Sequence, residues 1–440
     1  MGESLARAGS GSEAVNDDVV AQQTPSREAR REYATHKYER RASILEQVES
    51  GAERVPVHIF YGLQNMLWLL VSLWFVKTPV VRLLQGQPPV DLSLLKWSFR
   101  GVEYVLLIYS LMCIATPFTY LLHVLTVRGW MSPVTRETLY RLLQCLHLSG
   151  TNRYIITSRL STVPSFALTT QATVSFLKMH SYHVEVRRAL GDLKPDASLQ
   201  QKLELVSFRK FAYFWFAPTL VYSVSGYPRS ASVSTSFICR KVGTGLGLLL
   251  AIYLLITEHF LPCFDDPVRS FVEVVIALFL PCTLLFLALF FLVFEVLLNI
   301  AGELTRFGDR QFYEDFWNAT NMSEFSRKWN RPVHDWLLKH IYGDAIQAGA
   351  SKLVAQAATF LFSALFHELI LAVTFRHPRV FLLSLMMTQM PLIWIFRGNL
   401  KNPHYRRFAN LFFWFGMVVG PALLAGTYHQ SIFRNEHAQP

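Results

Sequence analysis

RFGDRQFYEDFWNATNMSEFSRKWNRPVHDWLLKHIY, residues 306–342, is a dense block of charged, amide and aromatic side chains between two long apolar stretches. The neighbours decide the fold class. Upstream lies FVEVVIALFLPCTLLFLALFFLVFEVLL (271–298), and downstream LVAQAATFLFSALFHELILAVTF (353–375). Both exceed the roughly 20 residues that a helix needs to cross a bilayer. The downstream stretch carries His367-Glu368 in its interior. Inside a membrane such groups are buried in protein, line a wet cavity, or work.

Working outward, apolar segments recur at 57–76, 102–127, 138–157, 161–180, 243–263, 271–298, 353–375, 380–396 and 409–428. The pattern predicts an all-α polytopic membrane protein of about nine transmembrane helices. The third and fourth segments carry Arg, Gln and Thr, which suits positions facing the bundle interior. Residues 187–210 read as a charged linker. The aromatic stretch FAYFWFAPTLVYSVSGYPRS (211–230) is interrupted by Pro218 and Pro228, and reads as a re-entrant or interfacial element.

Composition agrees. Of 440 residues, 52% are hydrophobic and 34 are Phe. The formal charge of +11 fits basic residues flanking spans beside anionic lipid. No basic motif lies in a recognisable nucleic-acid fold, so no nucleic-acid partner is expected. The cysteines, Cys113, Cys145, Cys239, Cys263 and Cys282, show no CxxC or zinc-like pairing, and no metal site is expected. Residues 1–55 are polar, contain the charged run REARREYATHKYERR (27–41), and read as a disordered cytosolic tail without a signal peptide. The membrane domain is then 56–430, and 431–440 a lumenal C-terminal tail. The positive-inside rule supports this topology. Arg306, Arg310, Arg327, Lys328, Arg331, Lys339 and Lys352 mark one cytosolic loop, and Arg397, Lys401, Arg406 and Arg407 the last, against only Arg434 at the C-terminus. The sequons at Asn318 and Asn321 would then stay unmodified.

Several chemistries are excluded by what is missing. HELIL (367–371) has Leu371 where a zincin helix needs its second histidine. There is no GxSxG elbow, HxxxxD acyltransferase motif, voltage-sensor ladder or pair of broken transporter helices. Ser363 and His367 stand i, i+4 on one helix face, and a neutral mid-membrane imidazole is the form that a general base needs. Glu368 points elsewhere, to the imidazole or to an adjacent helix. In FYEDFWN (312–318), Tyr313 and Trp317 supply aromatic walls, and the Asn318 amide can bond a carbonyl oxygen or orient the histidine. Glu314 and Asp315 are expected to cap a helix or to pair with Arg306 and Arg310. Arg327, Lys328, Trp329 and Asn330 combine cation, indole and amide in a form suited to a phosphorylated cosubstrate.

RFGDRQFYEDFWN, WNRPVHDWLLKHIY (329–342), FSALFHEL (362–369), KMHSY (178–182) and FAPTLVYSVSGYPR (216–229) together resemble the motifs of one family. This is the membrane-bound O-acyltransferase superfamily, in its sterol and diacylglycerol acyltransferase branch. MTQMPLIW (387–394) and FWFGMVVGPALL (413–424) are similar to sterol acyltransferases of the fungal, steryl-ester-forming type. The resemblance implies a bundle in the endoplasmic reticulum membrane enclosing a central reaction chamber. Fatty acyl-CoA, a cosubstrate and not a bound cofactor, enters from the cytosol, and a sterol enters from the membrane lipid. His367 would be the catalytic base and Asn318 the second active-site residue, in a homo-oligomer, dimer or tetramer. The alternative acceptors are diacylglycerol, giving triacylglycerol, or a sterol-like or terpenoid metabolite. One departure bears on this: the family's tandem tryptophan is Phe316-Trp317, with one indole donor fewer. A transporter or lipid-binding scaffold would bind solute without releasing CoA.

Overall fold

A computed structural model describes residues 61–93, 96, 101–158, 160–264, 269–395 and 402–436. The N-terminal tail, the start of the first expected span, Arg397 and Lys401, and the last four residues lie outside the described residues.

Among the described residues the chain is helical, without named strands; one isolated antiparallel bridge pairs Arg229 with Phe307. The order is α1 (Tyr61–Leu84), α2 (Val102–Val127), α3 (Pro133–Thr157), α4 (Thr162–Gly191), α5 (Leu199–Leu205), α6 (Phe208–Phe216), α7 (Thr235–Phe264) and α8 (Phe271–Leu304). After the polar block begin α9 (Met322–Trp329) and α10 (Arg331–Leu337), the latter prolonged by a π turn at Leu338–Tyr342. α11 (Lys352–Phe375), α12 (Phe381–Met387), α13 (Gln389–Ile395) and α14 (Pro403–Glu436) complete the chain.

Among the described residues, five helices are long and apolar enough to cross a membrane: α2, α7, α8, α11 and the His404–His429 part of α14. Their outer faces leave large apolar side chains exposed, such as Leu246, Ile276, Leu280, Leu365 and Leu411, as lipid contact requires. The other expected segments are helical but differ from a simple span. α3 turns Arg136, Gln144, His147 and Asn152 into the protein, and α12 and α13 are short helices meeting at Thr388. α14 continues past residue 430 to Glu436, so the expected C-terminal tail begins as helix.

α4 is the hub of the bundle. It buries Leu168, Ala172, Met179, Tyr182 and Val186 together with Ser165, Thr169, Lys178 and His183, so the interior placement expected of this segment holds. α3 and α11 pack along its sides. The Lys178 ammonium donates to the carbonyls of Phe214, Trp215 and Ala217 at 2.9, 2.8 and 2.8 Å. These are the unsatisfied carbonyls at the end of α6, where a cation is favoured. The proline-rich stretch that follows is thereby held inside protein, with Ala217, Leu220 and Tyr222 buried.

Two close approaches set the packing, one at the polar block and one between α14 and α8. A Cβ at Gly308 would come within 3.2 Å of the Pro228 backbone, so the 228–230 and 306–308 segments meet only through glycine. On α14, a Cβ at Gly426 would fall 2.8 Å from Val275, which lets α14 lie flush on α8.

Candidate active site

His367 lies well inside α11. Ser351 caps the start of this helix, its hydroxyl accepting from the Val354 amide at 3.4 Å. One stripe of the helix, Phe362 and Phe366, stacks on Trp336 of α10 and Phe176 of α4, with ring centroids 5.6 and 5.4 Å apart. That packing sets the rotation of α11 and with it the neighbouring Ser363–His367 stripe. His367 Nδ1 is 2.8 Å from the Ser363 carbonyl oxygen. A carbonyl only accepts, so Nδ1 carries the proton and Nε2 carries the lone pair. The imidazole keeps exposed surface of its own. Ser363 contributes through its backbone and not its hydroxyl.

Glu368 belongs to a different face. It is buried, and its Oε2 accepts from the Leu383 amide at 3.0 Å. Leu383 sits in the first turn of α12, where Val380 offers no side-chain cap. Of the two roles open to Glu368, bonding the adjacent helix is the one observed.

Asn318 ends a single 3₁₀ turn, Phe316–Asn318, and is exposed. Its Nδ2 donates to Asp315 Oδ2 at 3.1 Å. Burial raises the Asp315 pKa, but hydrogen bonds from Asn318 and Lys328 outweigh it and hold the carboxyl below its ordinary value. Asp315 is therefore ionised at neutral pH and accepts only, so the amide nitrogen of Asn318 faces it. The second amide hydrogen and Oδ1 of Asn318 remain for other partners. Lys328 spans Asp315 at 3.1 Å and Glu324 at 2.7 Å, while Glu324 Oε2 accepts from the Thr320 amide and hydroxyl. On the far side of the turn, Asn410 Nδ2 of α14 donates to the carbonyls of Trp317 and Ala319 at 2.9 and 2.8 Å. Trp414 Nε1 adds a bond to the Trp317 carbonyl at 3.0 Å.

The remaining sequence candidates have other employment. Tyr313 is buried and donates to Glu295 Oε2 at 2.8 Å, with Glu295 paired in turn to Lys241 of α7. It anchors the block and does not wall a chamber. Trp317 presents its carbonyl to α14 and its ring edge to Phe316. Trp329 stacks on Phe286 at 4.5 Å and on Phe290 at 4.0 Å, and Asn330 caps α10 through the Val333 amide at 3.2 Å. With Lys328 already paired twice, only Arg327 of the four proposed cosubstrate residues is exposed. Glu314 and Asp315 do form ion pairs, with Arg331 and Lys328 and not with the arginines expected; Arg310 is taken by Glu303. Phe316 is buried, 4.7 Å from both Phe290 and Trp329, so the missing indole donor lies in an aromatic core.

Among the described residues no hydrogen bond joins His367 to Asn318. Their elements are linked through α12 and α13, which run from α11 back to α9 beside the 3₁₀ turn. Asn410 and Trp414 were not singled out from the sequence; the available signal was an amide and an indole i, i+4 on an apolar span.

Fold and site together define a helical, multi-spanning membrane protein in which His367 holds an open imidazole lone pair inside a span. A family model described as "MBOAT, membrane-bound O-acyltransferase family" matches residues 98–430, and the chain belongs to that family. It is similar to diacylglycerol O-acyltransferase 1 of Bos taurus, 32% identical over 276 residues, covering 56% of this chain and 55% of that protein. Against diacylglycerol O-acyltransferase 1 of Dictyostelium discoideum it is 35% identical over 234 residues, 51% of this chain and 37% of that protein. Against diacylglycerol O-acyltransferase 1C of Glycine max it is 31% identical over 342 residues, 74% and 62% of the two chains. The chain thus spans 37–62% of the length of these relatives. The relatives carry the name of the alternative acceptor, diacylglycerol, and not of the sterol that the motifs first suggested.

Proposed function

We propose that this protein transfers an acyl group from acyl-CoA to the free hydroxyl of diacylglycerol, forming triacylglycerol within a membrane. The observation that carries the reading is the contact of His367 Nδ1 with the Ser363 carbonyl oxygen, 2.8 Å. The Ser363 carbonyl holds Nδ1–H, which leaves Nε2 as the base atom on exposed surface within a span. Family membership supplies the reaction class, and the names of the relatives favour the acceptor.

The step balances without a covalent enzyme intermediate. Nε2 takes the acceptor hydroxyl proton as that oxygen attacks the thioester carbonyl. The second Asn318 amide hydrogen donates to the developing oxyanion. The C–S bond breaks, and the imidazolium returns its proton to the CoA thiolate, giving CoA and an ester. General-base assistance of this kind contributes roughly 10²–10⁴-fold. Arg327 is the cation placed to meet a CoA phosphate. The polar block is assigned to the cytosolic side and the membrane to the endoplasmic reticulum, on the basic loops and the resemblance.

The test is a competition. Purified protein receives labelled oleoyl-CoA with diacylglycerol, ergosterol and cholesterol together. Label in triacylglycerol supports the reading. Label in steryl ester moves the acceptor to the sterol branch, and CoA release without lipid ester overturns both.

A further inference from the structure

We infer that Asn410, assisted by Trp414, is the positioning residue for Asn318: it fixes the backbone on both sides of that residue from the opposite helix. The inference rests on the role of Asn318 in the proposed function. A carboxamide nitrogen has two hydrogens, and each finds one carbonyl here. Trp317 lies immediately before Asn318 and Ala319 immediately after it, at 2.9 and 2.8 Å from Asn410 Nδ2. Trp414 stands one helical turn on, on the same face of α14, and its indole N–H gives Trp317 a second bond at 3.0 Å. Three donors from one helix face therefore converge on the two carbonyls that bracket one residue.

The turn's own backbone bonds, Asn318 N–H to the Asp315 carbonyl and Ala319 N–H to the Phe316 carbonyl, each at 3.0 Å, hold its amides but not the Trp317 and Ala319 carbonyls. The 3₁₀ turn is only Phe316–Asn318, and no side chain caps its start. The Asp315–Lys328–Glu324 network fixes the amide plane of Asn318 and the entrance to α9, but not the Trp317 carbonyl. The α14 face is itself held against the block by Phe413 on Phe325, with ring centroids 5.3 Å apart. A displacement of about 1 Å at a reacting group costs around a hundredfold in rate. Releasing both carbonyls should therefore act on turnover and not on substrate affinity.

The experiment is a double-mutant cycle in the full chain, with specific activity expressed per folded protein. Asn410→Leu keeps the volume and removes two bonds; Trp414→Phe keeps an aromatic ring, though a smaller one, and removes one bond. Expected is a fall in kcat of about 10–100-fold for Asn410→Leu and several-fold for Trp414→Phe, with KM for acyl-CoA and diacylglycerol within about threefold. Asn318→Ala should be similarly impaired, and Asn318→Ala/Asn410→Leu should lose no more than Asn318→Ala alone. Multiplicative losses, or an Asn410→Leu enzyme as fast as wild type beside an impaired Asn318→Ala, overturn the inference alone. An unimpaired Asn318→Ala overturns the role of Asn318 and the inference with it. If Asn410→Leu does not fold, the same cycle run with Trp414→Phe decides by the same criteria.

Discussion

Asn318→Asp separates a working amide from a merely polar one. The substitution keeps size and shape but sets a carboxyl where Nδ2 now donates to Asp315 Oδ2 at 3.1 Å. Two carboxylates at that distance repel by about 1 kcal/mol in a water-like dielectric and about 5 kcal/mol at an effective value of 20. The Asp315 side chain is 45% exposed and remains paired with Lys328, which places the site nearer the lower figure, at about 2 kcal/mol. Repulsion of that size moves one proton of the pair from the ordinary carboxylate range toward neutrality. A raised carboxyl pKa means that the neutral, donating form is present below it and lost as pH rises through it. At pH 8 both groups are ionised, no donor faces the substrate, and activity should fall by about 10²-fold. Relative to wild type at each pH, triacylglycerol formation should stay depressed from pH 8 to pH 6, because the single proton regained bridges to Asp315, as Nδ2 now does, and leaves no hydrogen for the oxyanion. Asn318→Ala should be impaired to a similar degree, with no pH dependence relative to wild type. The assay is labelled oleoyl-CoA with diacylglycerol in microsomes, scanned across that range. An Asn318→Asp enzyme as active as wild type at pH 8, or one that regains wild-type activity by pH 6, refutes the donor role.

Ser363→Ala should keep near-normal turnover in the same assay, because the oxygen that binds His367 is the backbone carbonyl and not the hydroxyl. Glu368→Gln should also keep activity, since a neutral amide oxygen still accepts from the Leu383 amide, whereas Glu368→Leu should lower thermal stability by about 1–2 kcal/mol in a detergent melt. His334, in the polar block, is pushed down from 6.5 to about 4, by burial first and then by Arg327 and Arg331. Its neutral form is favoured in the fold, so its contribution is intact above pH 6.5 and is lost as pH falls toward 4. Melting temperatures of His334→Gln should accordingly decline less than those of wild type across that window.

The helical membrane class was legible because periodicity is unnecessary there: long apolar runs specify spans by length alone. The segments that resisted a simple reading did so for one physical reason. α4 is shielded by other helices, and α3 turns its buried polar side chains toward them, so neither needs to be apolar throughout, and the hub of the bundle looks like its most polar stretch. At the site, His367 was legible because a lone imidazole in an apolar helix is costly without a purpose. The choice between its two nitrogens was not, because it depends on the Ser363 carbonyl, and every helical residue offers one. Aromatic and basic residues of the block were over-read for the same reason in reverse. Trp329 and Tyr313 have the chemistry to meet a ligand, but their partners Phe286 and Glu295 lie 43 and 18 positions away in the chain and were invisible to local inspection. Asn410 was missed because its partners are main-chain carbonyls, which carry no sequence signal at all.

The most direct test is triacylglycerol formation from labelled oleoyl-CoA and diacylglycerol by equal amounts of folded wild type and His367→Ala. Expected is ester from wild type and a loss of roughly 10²–10⁴-fold or more in the variant, with the melting temperature little changed. A His367→Ala enzyme within tenfold of wild type would contradict the assignment of Nε2 as the base.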